Sequence, residues 1–218
     1  MNKNVTHEWQ KTFTEWLQQN WLHEDGAHDI EHLHRVWRNC QSINAGEGGQ
    51  ADSLTLLAAA YFHDLVTVPK NDPRRNQSSL LSAEKATALL EDVFIGFPNE
   101  NLDRIKHAIH AHSFSANVQP LTPEAKILQD ADRLEALGAI GIARLFYTAG
   151  KMNARMFHAT DPSALNREPD DRQFALDHIE VKLLKLPSMM QTATGRKFAE
   201  QEAEFIKQFR AKLLAEIV

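Results

Sequence analysis

Apolar residues recur at three-to-four spacing along nearly the whole chain, and no alternating stretch exceeds a few residues, so the pattern predicts helices rather than sheet. Residues 6–23, THEWQKTFTEWLQQNWLH, place Trp9, Phe13, Trp16, Leu17 and Trp21 on one stripe. A second helix is predicted from Asp29, a suitable N-cap, with Ile30, Leu33, Val36, Trp37, Cys40 and Ile43 on its buried arc and AGEGGQ at 45–50 as its end. Residues 51–65, ADSLTLLAAAYFHDL, are apolar on almost every side and read as a central buried helix that Pro69 keeps short.

Serines offer caps for the next helix, SSLLSAEKATALLEDVF, which closes before GFP; NENLDRIKHAIHAH follows, then the loop SFSANVQPLTP. Thr122 as cap and Pro123 as first helical residue open TPEAKILQDADRL, a helix expected to run on through GAIGIARLF, where Gly138 and Gly141 permit a neighbour to pack closely. Residues 151–171 form the one long irregular stretch, of the kind used for lids and binding loops. Two C-terminal helices, broken by Pro187 and Gly195, complete an all-α fold of about seven or eight helices.

A chain of 218 residues at 43% hydrophobic can bury one substantial core, and a single domain over 1–218 is expected. A net charge of -5 gives no basic field for a long nucleic-acid polymer, so a phosphate-bearing ligand would have to meet local cations. Cys40 is the only cysteine, which excludes an intrachain disulfide and a cysteine metal cluster and fits a small buried hydrophobe. The N-terminus is polar and no apolar run approaches membrane-spanning length, so a cytoplasmic protein with no membrane partner is expected. The Trp-rich first stripe suits an intramolecular core and also allows a homodimer.

Eight of the eleven histidines fall between His23 and His112. HDIEH, from His28 to His32, matches H-x-x-E-H, in which two histidines four apart hold zinc and the glutamate activates water. It also contains a His-Asp doublet, and a second doublet stands at His63-Asp64. His32 falls at the edge of the buried arc, where a side chain can reach inward and stay accessible. The helix ending in His63-Asp64 is too apolar to hide a lone acid; a cation there would neutralise Asp64 and be favoured by the helix dipole. Asp130 and Asp132 sit among Ile127, Leu128, Leu134 and Leu137 and need partners, either a metal or a salt bridge to Arg133 or Lys126.

HLHRV, FHDL and DADRL, in this order, resemble the HD-domain metal-dependent phosphohydrolases, whose pattern is H…HD…D. The run HDIEHLHRVW…YFHDL…HSFSA…ILQDADRLEALGAIGIARLF is similar to the small stand-alone bacterial branch, over about residues 25–147 with the C-terminal helices completing the domain. The resemblance implies His32, His63, Asp64 and Asp132 as metal ligands. His28-Asp29 is then not the family doublet: His28 lines the cleft or caps the helix, and Glu31 is solvated. The protease reading leaves Asp64 and Asp132 unexplained.

Two imidazoles and two carboxylates form a mixed site that suits a divalent ion such as Mn²⁺, Mg²⁺, Fe²⁺, Co²⁺ or Ni²⁺ better than a structural zinc. The expected chemistry is attack of an activated water on phosphorus, with Asp64 or Asp130 available to orient the water. Just after the doublet, VPKNDPRRNQS concentrates Lys70, Arg74 and Arg75 as a phosphate clamp; Lys70, nearest the doublet, is expected to act in catalysis and binding, and Arg75 in binding. His112 and Ser113 are assigned to the cleft, His107 and His110 to surface or packing, and Arg144 to a phosphate or an acid. Some HD enzymes hold a second metal through extra histidines, but the resemblance is to the single-metal branch.

The expected substrate is a small phosphorylated molecule, with nucleoside mono- or triphosphates implied by the resemblance. A cyclic-nucleotide phosphodiesterase is disfavoured because the HHExxGYP extension is absent; an alarmone hydrolase and a non-catalytic metal- or nucleotide-binding sensor remain alternatives.

Overall fold

In the computed structural model, which describes residues 3–21, 26, 29–68 and 72–217, the described residues form nine α-helices joined by loops and short 3₁₀ turns, with one isolated bridge between Arg155 and Phe174. The all-α expectation holds, and so do most boundaries. The chain divides into two compact units, 1–132 and 133–218.

In the first unit, α1 (Lys3–Asn20) carries the predicted aromatic stripe. Phe13 and Leu17 are buried, and the Phe13 ring lies 4.7 Å from Phe62 and 4.9 Å from Phe94 between centroids. The stripe therefore serves this unit's own core. Helix α2 (Ile30–Gly46) starts as expected at Asp29, whose side chain accepts from the His32 backbone, and ends where Gly48 and Gly49 take positive φ, a conformation that glycine adopts without a Cβ penalty.

Helix α3 (Ser53–Phe62) is buried from Leu54 to Phe62 and packs on α1, α2 and α5. Asp52 caps it, accepting from the Thr55 amide at 2.8 Å. Its helical bonding stops at Phe62, so His63 and Asp64 stand in the turn just past the helix end, one step beyond the expected last turn.

The serines expected to cap α4 (Ser78–Asp92) serve another purpose. Ser78 Oγ donates to the Val66 carbonyl at 2.6 Å and accepts from the Val68 amide at 3.2 Å, while Ser82 Oγ accepts from the Val66 amide at 3.0 Å. They satisfy the backbone of the segment leaving the doublet, which has no regular structure to do so. Helix α5 (Leu102–His112) packs on α3 and α4. Helix α6 (Pro123–Leu134) opens as predicted, with Thr122 Oγ1 accepting from the Ala125 amide at 3.2 Å.

Helix α6 does not run on through GAIGIARLF. It stops at Leu134, and α7 (Gly138–Lys151) begins afresh at Gly138, whose φ of 64° breaks the helical path. In the second unit α7 packs on α9 (Ala193–Ile217), and the carboxylate of Glu202 occupies the space a Gly138 Cβ would need. Gly195 does not break a helix as expected; it lies in the first turn of α9, where its amide donates to Thr192 Oγ1 at 2.9 Å. Pro187 lies inside the 3₁₀ helix Leu183–Met189 that follows α8 (Asp177–Val181).

The irregular stretch before α8 is internally tied. Asp161 accepts from the Leu165 and Asn166 amides, and Arg167 pairs with the buried Asp177 while its guanidinium lies 4.7 Å from the Phe174 ring centre. No helix among the described residues is long and apolar enough to cross a membrane.

Phe13→Ala removes a fully buried ring from the centre of the aromatic cluster and is expected to lower unfolding stability by about 3–5 kcal/mol, read by chemical denaturation.

Candidate metal centre

Helix α2 brings in His32, the turn after α3 brings His63 and Asp64, and the last turn of α6 brings Asp132. All four donor residues lie in the first unit, Asp132 at its very end. His32 is fully buried rather than accessible at the arc's edge, because α3 packs over that face of α2. His63 is also fully buried, whereas the Asp64 and Asp132 side chains keep 25% and 29% of their surface exposed. The imidazoles form the floor of the site and the carboxylates its mouth.

The donor atoms converge. His32 Nε2 is 3.3 Å from His63 Nε2, 3.5 Å from Asp132 Oδ1 and 3.9 Å from Asp64 Oδ2; His63 Nε2 is 3.5 Å from Asp64 Oδ2 and 3.9 Å from Asp132 Oδ1. An ion held at about 2.1 Å by four tetrahedral donors would separate them by about 3.4 Å, and adjacent octahedral donors by about 3.0 Å, so small closing movements seat a divalent cation. His63 Nδ1 donates to the Ala60 carbonyl at 2.8 Å, which leaves the Nε2 lone pair turned into the cluster. The two histidines and two carboxylates brought together are the four the sequence pointed to.

A fifth donor joins them. His112 Nδ1 donates to the Ile109 carbonyl at 2.6 Å, and its Nε2 lies 3.7 Å from Asp64 Oδ1. His63, Asp64 and His112 thus form a second group able to hold a metal, overlapping the first, formed by His32, His63 and Asp132. Sequence reasoning placed His112 in the cleft; its position at the C-terminal end of α5, as His63 stands at the end of α3, is the signal that links the two.

Burial holds the His63 pKa down to about 4, against the pull of Asp64 and Asp132. Burial alone would raise Asp64 and Asp132, but the surrounding histidines outweigh it, His63 foremost, and hold both carboxyls below the usual range. Burial alone would lower His112; the Asp64 carboxylate beside it prevails and raises it. Ionised carboxylates and a neutral His63 are the forms a cation needs.

The remaining expectations divide. Asp130 is fully buried and belongs to neither metal-capable group; Arg133, offered as its partner, donates to the Met189 carbonyl. Arg74 pairs with Asp72, exposed to solvent, and Arg75 donates to the Val68 carbonyl at 2.6 Å, just beyond the doublet. Ser113 follows His112, its hydroxyl 3.0 Å from that of Ser115. His107 accepts from the Leu121 amide, a packing role, and Arg144 pairs with an acid, Glu135. Cys40 is buried, and burial pushes its thiol pKa up. His28 and Lys70 lie outside the described residues.

Three residues escaped the sequence reading. Gln129 donates to the Ala111 carbonyl at 2.6 Å, tying α6 to the end of α5 one turn before Asp132. Asn39 on α2 donates to the Ala131 carbonyl at 3.3 Å. Glu124, fully buried, looked like an ordinary first-turn acid.

The HD-domain family model matches residues 29–137, a span holding all five converging donors. The chain is 36% identical over 206 residues to YpgQ of Bacillus subtilis, covering 93% of this chain and 90% of that one. The crystal structure of YpgQ in complex with ADP aligns at 31% identity over 97% of this chain and 96% of that chain, with a TM-score of 0.70. An HD-superfamily hydrolase from Bacillus thuringiensis aligns at 27% identity over 98% and 97% of the two chains, with a TM-score of 0.69.

Because His63 has its pKa lowered in the fold, the unfolded chain binds more protons than the folded one between about 4 and 6.5. Its contribution is full above 6.5 and is lost as pH falls toward about 4, with Asp64 and Asp132 adding losses below the usual carboxylate range; His112 acts in the opposite sense, losing stability as pH rises above 6.5. Urea unfolding of metal-stripped protein is expected to show stability rising from pH 4 to 6.5 by up to roughly 3 kcal/mol from His63. His63→Asn should flatten that slope.

Proposed function

The chain belongs to the HD-domain family, and on that premise we propose that it is a metal-dependent phosphohydrolase acting on a small phosphorylated molecule, a nucleotide in particular. The observation that carries the proposal is the convergence of His32, His63, Asp64 and Asp132 donor atoms within 3.3–3.9 Å of one another in most pairings. The ADP complex of the related YpgQ supports a nucleotide as the substrate class. The reading treats 1–218 as one functional domain, since the relative aligns over most of that length.

A divalent cation in this site, such as Mn²⁺, Mg²⁺, Fe²⁺, Co²⁺ or Ni²⁺, supplies Lewis acidity: it lowers the pKa of a water, orients a phosphoryl oxygen and offsets charge in the transition state. The chain's residues do the rest. His32 and His63 hold the floor with their Nε2 atoms directed inward, and Asp64 and Asp132 supply the negative charge at the mouth. On this reading Asp64, whose Oδ1 lies 3.7 Å from His112 Nε2, orients the attacking water. Arg75 and Ser113, with Lys70 and His28, bind the phosphate, and Lys70 also neutralises charge on it during transfer.

Metal-stripped protein resupplied with Mn²⁺ is expected to hydrolyse one or more members of a panel of ribo- and deoxyribonucleoside mono-, di- and triphosphates. Asp64→Ala should cut turnover by more than about 100-fold while circular dichroism shows the fold retained. Wild-type protein that binds Mn²⁺ and turns over no phosphate ester or anhydride would overturn the enzyme in favour of a binding module. Product analysis by chromatography identifies the bond that breaks.

A further inference from the structure

Glu124 is fully buried in the first turn of α6, and its Oε1 accepts two hydrogen bonds: from the Asp52 amide at 2.8 Å and from Arg104 Nη2 at 2.6 Å. Asp52 caps the start of α3, and Arg104 stands in the first turn of α5. One carboxylate oxygen therefore joins the starts of three helices. The other, Oε2, is buried and meets no hydrogen-bond partner among the described residues. A site selected only for stability would do better with an apolar side chain, because an ion pair with an unsatisfied buried oxygen gains little over good packing.

The far ends of the same three helices explain what the joint accomplishes. Helix α3 leads into His63 and Asp64, α5 ends at His112, and α6 delivers Asp132. Because the helices meet at Glu124 and their ends meet again at the donor cluster, all three run in the same direction. Asp132 follows Glu124 by eight residues and His112 follows Arg104 by eight, so both helices carry their donors about 12 Å from the joint; α3, of ten residues, spans a comparable length of about 15 Å. A helix is stiff along its axis, and an axial slip at the start appears undiminished at the end.

We propose that Glu124 and Arg104 are positioning residues for the metal centre, locking the axial register of α3, α5 and α6 so that Asp64, His112 and Asp132 arrive at one height. This rests on the metal-site reading above. Dipoles reinforce the arrangement: a carboxylate sits at three positive helix ends, and a cation would sit at three negative ones.

The test measures Mn²⁺ binding by calorimetry and electron paramagnetic resonance on metal-stripped full-length protein. The variants are Glu124→Gln, Arg104→Gln and their combination, with Asp64→Ala and Leu90→Ala as references. Leu90 is buried on α4, which supplies no donor, so Leu90→Ala destabilises without touching the joint. Each joint variant is expected to weaken Mn²⁺ binding about 10-fold and alter the zero-field splitting, and the double variant to do no more than either single, because both remove one link. Leu90→Ala should lower Tm at least as far and leave Mn²⁺ affinity within about twofold of wild type. Should Glu124→Gln not fold, Arg104→Gln carries the test, since the Arg104 side chain is 41% exposed. Joint variants that bind Mn²⁺ as wild type does, with an unchanged resonance, overturn the positioning role alone. Equal Mn²⁺ affinity in wild type and Asp64→Ala overturns the metal reading and the positioning role together.

Discussion

Two imidazole nitrogens 3.3 Å apart, with two ionised carboxylates beside them, form the constraint around which the first unit is organised. Burial keeps His63 neutral, so its ring cannot offset the carboxylates by taking up a proton near neutrality. The negative charge at the mouth then calls for a cation from outside. The first unit has to be rigid enough to hold these groups together before that cation arrives, and much of its architecture supplies that rigidity.

Helix α3 is the central piece. Its residues from Leu54 to Phe62 are buried, so it is fixed by packing on every side and cannot rotate to move His63 without disturbing the core. The aromatic cluster of α1 presses on one side of it and α5 on the other. Ser78 and Ser82 then hold the irregular segment beyond the doublet through its backbone. Order thus extends from the core through the ligands to the beginning of the loop that carries the basic residues.

Much of this was legible in the sequence, for identifiable reasons. Helix periodicity depends on burying one face, and α1, α2 and α6 announce their faces clearly, while α3 is recognised by being apolar all round. His32, His63, Asp64 and Asp132 could be named because they match the HD-domain pattern, whereas an acid embedded in an apolar helix was not signal enough by itself: Asp130 belongs to neither metal-capable group. What stayed hidden was of another kind. The break at Gly138 could not be distinguished from close packing, because glycine serves both. Gly195 was read as a breaker although a helix's first turn tolerates it. The serines of α4 looked like caps because they stand at the helix start, and only the fold shows the loop they bind. Glu124 resembled any acid at a helix start, and its partners lie far away in the chain.

His63 and His112 share one device: each ring donates its Nδ1 proton to a main-chain carbonyl three residues earlier in its own chain. Metal-binding histidines are commonly oriented by a neighbouring side chain, which must then be kept along with the ligand. Here the orienting group is backbone, present whatever residue occupies that position. The site's chemistry is thereby insulated from sequence drift around it: Ala60 or Ile109 can exchange for another residue that packs, and the tautomer survives. Such a centre can be inherited through wide divergence with little more than the ligands themselves held fixed.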